Sequence, residues 1–157
     1  MARRRDTVRI GVISDTHGVL RPEALRALRG VDLIVHAGDV GTPDVLDGLR
    51  AIAPVIAVRG NNDRGAWARA LRETETFVLA GVRIHVVHDV NAPGLVSAGV
   101  GAVIAGHSHR PAATTRDGVL FLNPGSAGPR RFTLPVSVAI LSLRDGRARA
   151  RIVALTL

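Results

Sequence analysis

Two histidines, His107 and His109, end an apolar run in the segment IAGHSHRP, residues 104–111. If a strand continued through them, both side chains would face the same side, because successive residues of a strand alternate between its two faces. The neighbouring Gly106 and Pro111 predict instead that the strand ends here and gives way to a loop. Paired imidazoles at the carboxyl end of a strand indicate a metal site, provided that other segments supply further ligands.

Polar residues end four other apolar runs, in the segments SDTHG, HAGD, RGNND and VVHD. In an α/β protein the loops at the carboxyl ends of the strands are where ligands bind. Glycines beside these polar residues let the backbone turn sharply and approach closely. The sequence therefore predicts one site with enough nitrogen and oxygen donors for two divalent ions. Its seven candidate ligands are Asp15, His17, Asp39, Asn61, His88, His107 and His109.

Each of these segments has a simpler interpretation when it is taken alone. DTHG could be a turn in which Asp15 caps the next segment, and HAGD is a common way for a strand to enter a loop. His88 could be a core histidine, and we expect His36 and His85 to be structural because each lies within an apolar strand. These interpretations do not explain why each of the five segments that carry the candidate ligands follows a strand of its own. The ordered series therefore favours a metal centre.

The composition limits the chemistry of such a centre. The chain contains no cysteine, so thiolate ligands and disulfides are both excluded. Nitrogen and oxygen donors suit two divalent ions, for which we expect Mn²⁺, with Ni²⁺, Mg²⁺, Fe²⁺ and Zn²⁺ as alternatives.

Charge and hydropathy narrow the range of partners. The formal net charge is +8, but only four aromatic residues, three Phe and one Trp, could stack on bases, so we do not expect specific nucleic-acid binding. A positive surface would still favour a phosphorylated substrate. No segment approaches the roughly 20 apolar residues of a membrane span, and the basic start is not followed by a long apolar run. We expect a cytoplasmic protein without membrane contact. The sequence leaves open whether the chain forms a homo-oligomer.

The first half of the chain alternates apolar runs with short amphipathic helices. Proline near the start of each helix, and Thr42 as the N-cap of the second, support these assignments. This alternation is typical of a largely parallel sheet. The predicted strands and their loops lie at 8–14, 32–39 and 54–63, and the helices at 22–30 and 42–50.

The second half is richer in strands. Asp-Gly pairs predict tight turns in two of its hairpins, and Ala80–Gly81 forms the turn of the other. The predicted hairpins lie at 74–89, 112–126 and 136–155, with a short helix at 92–99 and a buried strand at 101–110. The length and the lack of a linker or repeat fit a single domain, 1–157. Two packed sheets with helices outside them, an α/β fold, would bury both sets of runs.

The order of the motifs resembles that of the calcineurin-like metallophosphoesterases over nearly the whole chain. The motifs are Asp15-x-His17, Gly38-Asp39, Gly60-Asn61-x-Asp63, His88 and Gly106-His107-x-His109. The small size and the segments HAGD, GHSHRP and NPGS (123–126) are most similar to the compact bacterial and archaeal phosphodiesterases of that superfamily. The resemblance implies a four-layer αββα sandwich of two mixed sheets, with a two-metal site at the carboxyl ends of the strands.

The same resemblance implies roles for the seven candidate ligands. One metal would take Asp15, His17, Asp39 and His109, and the other Asp39, Asn61, His88 and His107, with Asp39 bridging. The implied reaction is hydrolysis of a phosphoester, most of all a diester, by in-line attack of a hydroxide that bridges the two metals. Asp39, Asn61 and His107 would be its catalytic residues, and the substrate a small phosphoester or a nucleotide-like molecule.

The chain departs from the family pattern at two positions. Many relatives have a histidine, which acts on the leaving group, where this chain has Asn62, although the small phosphodiesterases also lack it. His88 is usually followed by glycine but here by Asp89, which could support a metal ligand or alter the metal preference. The source of the leaving-group proton is therefore open.

Two other functions would use the same fold. A non-catalytic scaffold, such as the retromer relative of this family, tends to lose metal ligands, whereas all seven positions are filled here, which favours an enzyme. A nuclease would keep the chemistry and change only the partner.

Four arginines are candidates for contact with the substrate: Arg59, Arg64, Arg130 and Arg131.

Overall fold

Ten strands and three short helices make up the part of the chain that the structure, a computed structural model, describes: residues 7–91, 99–131 and 133–157. The strands are β1 (Val8–Ile13), β2 (Leu33–His36), β3 (Val55–Ala57), β4 (Thr74–Leu79), β5 (Val82–Val87), β6 (Ala102–Ile104), β7 (Ala112–Arg116), β8 (Val119–Asn123), β9 (Ser137–Arg144) and β10 (Arg147–Ala154). The helices are α1 (Pro22–Ala27), α2 (Pro43–Arg50) and α3 (Ala66–Arg69). No helix among the described residues is long and apolar enough to cross a membrane.

The strands form two mixed five-stranded sheets. The first has the order β10-β9-β1-β2-β3, in which β1, β2 and β3 are parallel because α1 and α2 provide the crossovers. The second has the order β4-β5-β6-β8-β7, with β5, β6 and β8 parallel and an antiparallel strand at each edge. The predicted fold class, an α/β protein built on two mixed sheets, is confirmed.

The largest apolar cluster lies between the two sheets. Alternate residues of the central strands point into it, among them Ile10 of β1, Ile84 of β5 and Leu141 of β9, all fully buried. A second cluster packs α1 and α2 on the outer face of the first sheet, through Leu28 and Leu49. Both sheets are thereby held with their strand ends at a common edge, where the loops of the site emerge.

Several predicted elements differ from the observed ones in detail. The helix expected at 22–30 ends at Ala27, because Leu28 leaves the helical conformation. Thr42 occupies the N-cap of α2 as predicted, but its side chain makes no capping hydrogen bond. The four-residue helix α3 was not predicted, since so short a segment has no detectable period. The helix expected at 92–99 falls largely on residues 92–98, which lie outside the described residues.

Candidate metal centre

The predicted ligands follow strands of both sheets. Asp15 and His17 follow β1, and Asp39 follows β2 in the first sheet. From the second sheet, His88 comes directly after β5, and the His107–His109 pair follows β6. The carboxyl ends of parallel strands in two facing sheets therefore deliver these side chains to one edge of the sandwich.

The backbone at this edge is unusual. Of the eight described non-glycine residues with a positive φ, five are predicted ligands, whereas the other three lie in hairpin turns. Aspartate and histidine tolerate this left-handed region better than most residues, but such conformations cost free energy and cluster at functional sites. The five are Asp15 (φ 54°), His17 (47°), Asp39 (55°), His107 (71°) and His109 (62°).

Two buried carboxylates lie at the middle of the cluster. Asp15 Oδ1 is 3.3 Å from Nε2 of His109 and 3.9 Å from Nε2 of both His17 and His88. Asp39 Oδ2 is 3.3 Å from Nε2 of His88 and 3.8 Å from Nε2 of His17. Each carboxylate thus presents one oxygen to two or three imidazoles.

The hydrogen bond of His88 fixes which of its nitrogens faces the carboxylates. Nδ1 lies 2.7 Å from the carbonyl oxygen of Ala37, which can only accept, so Nδ1 carries the proton and donates it. In the neutral ring Nε2 then holds a lone pair directed at Asp39 Oδ2 and Asp15 Oδ1. A lone pair facing carboxylate oxygens is unfavourable unless a proton or a metal cation lies between them, and metal-bound histidines commonly show this backbone contact.

Buried atoms without hydrogen bonds support the same conclusion. Within the described part of the chain, Asp15 Oδ1, His17 Nε2 and His88 Nε2 are all buried and make no hydrogen bond. A buried polar atom without a partner costs about 1–3 kcal/mol, and three that converge on one place fit a bound cation. Two groups of side chains could hold one: Asp15 with His17 and His109, and Asp15 with Asp39 and His88.

Charge and burial act in opposite directions on two of these groups. Burial alone would raise the pKa of Asp39, but the His88 contact and two hydrogen bonds from Asn62 hold the pKa of this carboxyl well below its usual range. Burial alone would lower the pKa of His88, but the contact with Asp39, the bond to Ala37 and the charge of Asp15 raise it. The centre therefore keeps Asp39 ionised and attracts positive charge.

Asn61 and His107 are less closely held than the other predicted ligands. Asn61 is exposed, and its side chain makes no hydrogen bond among the described residues. His107 is 46% exposed, with its ring 5.2 Å from that of His88 and its Nε2 3.9 Å from Asp89 Oδ2. Its backbone N–H donates to Asp15 Oδ2 at 3.1 Å. His107 therefore lies at the rim of the cluster, between His88 and Asp89.

Asn62 contacts the centre in a way that the sequence did not indicate. Its backbone N–H donates to Asp39 Oδ1 and its side-chain amide donates to Asp39 Oδ2, both at 2.9 Å. These two bonds fix the plane of the Asp39 carboxylate. They also place the Asn62 side chain directly beside the oxygen that faces His17 and His88.

Comparison with known proteins decides the family. A family model described as "Calcineurin-like phosphoesterase superfamily domain" matches residues 8–146. The chain belongs to this superfamily. A probable metallophosphoesterase of Methanothermobacter thermautotrophicus is 37% identical over 159 residues, which cover 92% of this chain and 91% of the relative.

Solved structures share the fold of this calcineurin-like phosphoesterase. An archaeal phosphodiesterase has a TM-score of 0.74 at 23% identity, with 93% of this chain and 100% of that chain covered. Wild-type Vps29 of Entamoeba histolytica, complexed with Zn²⁺, has a TM-score of 0.70 at 23% identity, with 95% and 100% covered. At these identities the likeness concerns the fold.

The phosphoesterase motifs contain residues that hold the loops. Asp63 accepts backbone N–H bonds from Val40 (3.2 Å), Gly41 (2.9 Å) and Gly60 (2.9 Å), and so ties the loop after β2 to the loop after β3. An aspartate between two glycines of one loop, as in RGNNDRG (59–65), is the sequence signal that could have identified this role. Asp63 therefore supports Asp39 and Asn61 without facing the cluster itself.

His36, predicted to be structural, holds the Asp39 loop. Its Nδ1 accepts the N–H of Gly38 at 3.1 Å, so its Nε2 carries the proton and donates to Thr16 Oγ1 at 3.0 Å. Thr16 in turn donates to the carbonyl of Val40 at 2.7 Å. Complete burial lowers the pKa of His36 to about 3, so the ring stays neutral and keeps both bonds.

The NPGS segment (123–126) forms hydrogen bonds with two loops that carry predicted ligands, the loop after β1 and the loop after β6. Asn123 Nδ2 donates to the carbonyl of Gly106 at 2.9 Å and to Ser108 Oγ at 3.1 Å, one residue on either side of His107. Ser126 Oγ donates to the carbonyl of Asp15 at 2.9 Å. The segment thus positions the loops after β1 and β6.

Of the four candidate substrate arginines, one is occupied elsewhere. Arg59 forms an ion pair of 2.8 Å with Glu73. Arg64, Arg130 and Arg131 are exposed. The pKa of His109 is lowered first by burial and further by the positive charge of Arg131, which therefore lies near the cluster. Arg131 is therefore a candidate for contact with an anionic substrate.

Proposed function

We propose that this chain is a phosphodiesterase that hydrolyses its substrate at a dinuclear metal centre, for which we expect Mn²⁺. The observation that carries the proposal is the convergence of Asp15 Oδ1, His17 Nε2 and His88 Nε2, which are buried and make no hydrogen bond within the described residues. Membership of the calcineurin-like phosphoesterases and the archaeal phosphodiesterase with the same fold agree with it.

Asp39 is the residue that we assign to both metals. Its Oδ2 faces His17 on one side and His88 on the other, at 3.8 and 3.3 Å. Asp15, His17 and His109 would complete one ligand set, and Asn61, His88 and His107 the other. When bound, two divalent ions would lower the pKa of a shared water and offset charge on the phosphoryl oxygens.

The protein residues orient the reacting groups and hold the charges in place. Asn62 fixes the Asp39 carboxylate, and the Ala37 carbonyl fixes the ring of His88. The exposed side of the centre, at Asn61 and His107, is where a phosphoester would enter. Arg131 would add positive charge for an anionic diester or a nucleotide-like substrate.

A substrate panel tests this function. Protein treated with a chelator is reloaded with Mn²⁺, Ni²⁺ or Mg²⁺ and assayed against aryl phosphodiesters and the matching monoesters. We expect hydrolysis only after reloading, with diesters ahead of monoesters. Monoesters ahead of diesters would contradict the diesterase assignment, whereas metal binding without any turnover would identify a metal-binding scaffold.

A further inference from the structure

A cleft of about 300 Å³ lies on the outer face of the second sheet, beside the metal centre. Its lining is mostly apolar and includes Val90, Val103, Ala105 and Phe121, and its polar residues are Thr114, Arg116 and Asn123. This volume is at the lower end for small-molecule sites, which typically combine an apolar wall with a few polar groups.

The strand register explains why these residues share one face. Val103 of β6 pairs with Phe121 of β8, and Thr114 of β7 pairs with Phe121 from the other side. Paired residues of neighbouring strands point to the same face of a sheet. Leu120 and Leu122, which alternate with Phe121, point into the core between the sheets. The floor of the cleft is therefore the outer face of β6, β8 and β7.

One end of the cleft is joined to the metal centre. Asn123, in the cleft wall, donates to Gly106 and Ser108, which flank His107. On the other side Val90 follows Asp89, whose carboxylate is 3.9 Å from His107 Nε2. A phosphoryl group at His107 would therefore lie close to this end of the cleft.

The far part of the cleft combines a charge with an aromatic ring. The guanidinium carbon of Arg116 lies 4.5 Å from the centre of the Phe121 ring. A guanidinium in this position is planar, stacks on flat groups and donates hydrogen bonds at its edge. The lining therefore suits a flat aromatic group that carries a hydrogen-bond acceptor.

We propose that this cleft binds the aromatic group of the phosphoester substrate, with Arg116 donating to an acceptor on that group. The proposal rests on the proposed phosphoesterase function, since it takes the phosphoryl group to lie at the metal centre. It defines the substrate class as phosphoesters of a flat aromatic moiety with an acceptor, of which a nucleobase is one form.

Two adjacent alanines provide a matched pair of variants. Ala112 lines the cleft, whereas Ala113 pairs with Leu122 and points to the other face of β7. Both are exposed, so a larger side chain is compatible with folding at either position. Ala112→Phe would fill the cleft, and Ala113→Phe would add the same side chain outside it.

Binding of phosphinates measures the cleft without turnover, since phosphinates have carbon in place of both ester oxygens. Calorimetry on the Mn²⁺-loaded protein compares naphthylmethyl(methyl)phosphinate with dimethylphosphinate. We expect the aromatic analogue to bind roughly 10- to 100-fold more tightly, as burial of an aryl group predicts. Ala112→Phe should abolish this advantage, and Ala113→Phe should keep it. Equal binding of the two analogues, or an advantage that survives in Ala112→Phe, would overturn the proposal.

A second variant keeps the test decisive if Ala112→Phe does not fold. Arg116→Gln should weaken binding of a carboxylate-bearing naphthylmethyl phosphinate about tenfold and leave the plain naphthylmethyl analogue unchanged. Equal effects on both would contradict the role of Arg116. Failure of the proposed function is a separate result, namely no hydrolysis of any ester while the aromatic analogue still binds in a manner sensitive to Ala112→Phe.

Discussion

Among single residues, Asn62 has a side chain that contacts a carboxylate at the middle of the centre. Its amide donates to Asp39 Oδ2, the oxygen that faces His17 and His88, at 2.9 Å. An amide cannot give up a proton to a departing alkoxide as an imidazolium can. In the wild-type protein, leaving groups should therefore depart nearly unaided or be protonated by water.

The rate should then depend steeply on the pKa of the leaving group. Positioned acid catalysis is typically worth 10²–10⁴-fold, so nitrophenyl diesters should be hydrolysed far faster than alkyl diesters. Asn62→His should flatten this dependence and add a pH limb near the pKa of the new ring. The measurement is a series of aryl and alkyl diesters on both proteins at saturating metal. Equal wild-type rates across the series would show that another group already donates the proton, or that chemistry is not rate-limiting.

At the scale of the elements, the loops depend on close backbone approach. A side chain at Gly106, just after β6, would collide with Ser14 Oγ and Asp15 Oδ2 on the loop after β1. Ser14 Oγ donates to Asp15 Oδ2 at 2.7 Å, so we expect relief of either collision in Gly106→Ala to displace the Asp15 carboxylate, a predicted metal ligand. The two sheets therefore share the centre only as long as this position has no Cβ.

Gly106→Ala should weaken Mn²⁺ binding at least tenfold, a typical effect of disturbing the residues that orient metal ligands. Gly118→Ala is the control, since Gly118 lies in the β7–β8 turn at φ +77° with nothing within 4 Å of an added Cβ. That variant should lose stability, because its φ strains any side chain, and keep its metal affinity. Metal calorimetry and urea unfolding separate the two effects. Unchanged metal affinity in Gly106→Ala would show that close approach at Gly106 does not position the metal ligands.

The sequence predicted where the strands end, but it did not predict the contacts between the loops. The strand ends of β1, β2, β5 and β6 could be predicted because each apolar run stops at a polar residue, and parallel strands bring such ends to one edge. The Asn62 contact with Asp39 could not be predicted, because it depends on the path of a loop rather than on a period. The link from His36 through Thr16 to Val40 was missed for the same reason. A buried histidine in a strand has no sequence signal that distinguishes packing from support of a neighbouring loop.

At the scale of the whole molecule, His36 couples stability to pH. Its pKa is about 3 in the folded protein, against an ordinary value of 6.5. Below pH 6.5 the unfolded chain binds a proton at His36 that the folded chain does not. This residue therefore lowers the free energy of unfolding as pH falls from about 6.5 towards 3, by up to ~1.4 kcal/mol per pH unit.

Urea unfolding of metal-free protein at pH 7 and pH 5 measures this coupling. The wild type should lose more stability between these values than His36→Gln, by about 1–2 kcal/mol. Other titrating groups contribute to both proteins, so the difference between their pH dependences isolates His36. Parallel pH dependences would mean that His36 titrates normally in the folded state.

We propose that two metal ions, which Asp39 would join, carry out hydrolysis. The most direct test titrates chelator-treated protein with Mn²⁺ while bound ions and diester hydrolysis are measured in the same samples. We expect two ions per chain, and activity that follows occupancy of the second site. The Asp39→Asn variant should lose both the binding of two ions and the hydrolysis. The Asp47→Asn variant, which changes an exposed carboxylate on α2 that is paired with Arg50, should keep both properties. The proposal is contradicted if the protein hydrolyses diesters fully without metal or with one ion. It is also contradicted if Asp39→Asn and Asp47→Asn bind metal and hydrolyse diesters equally.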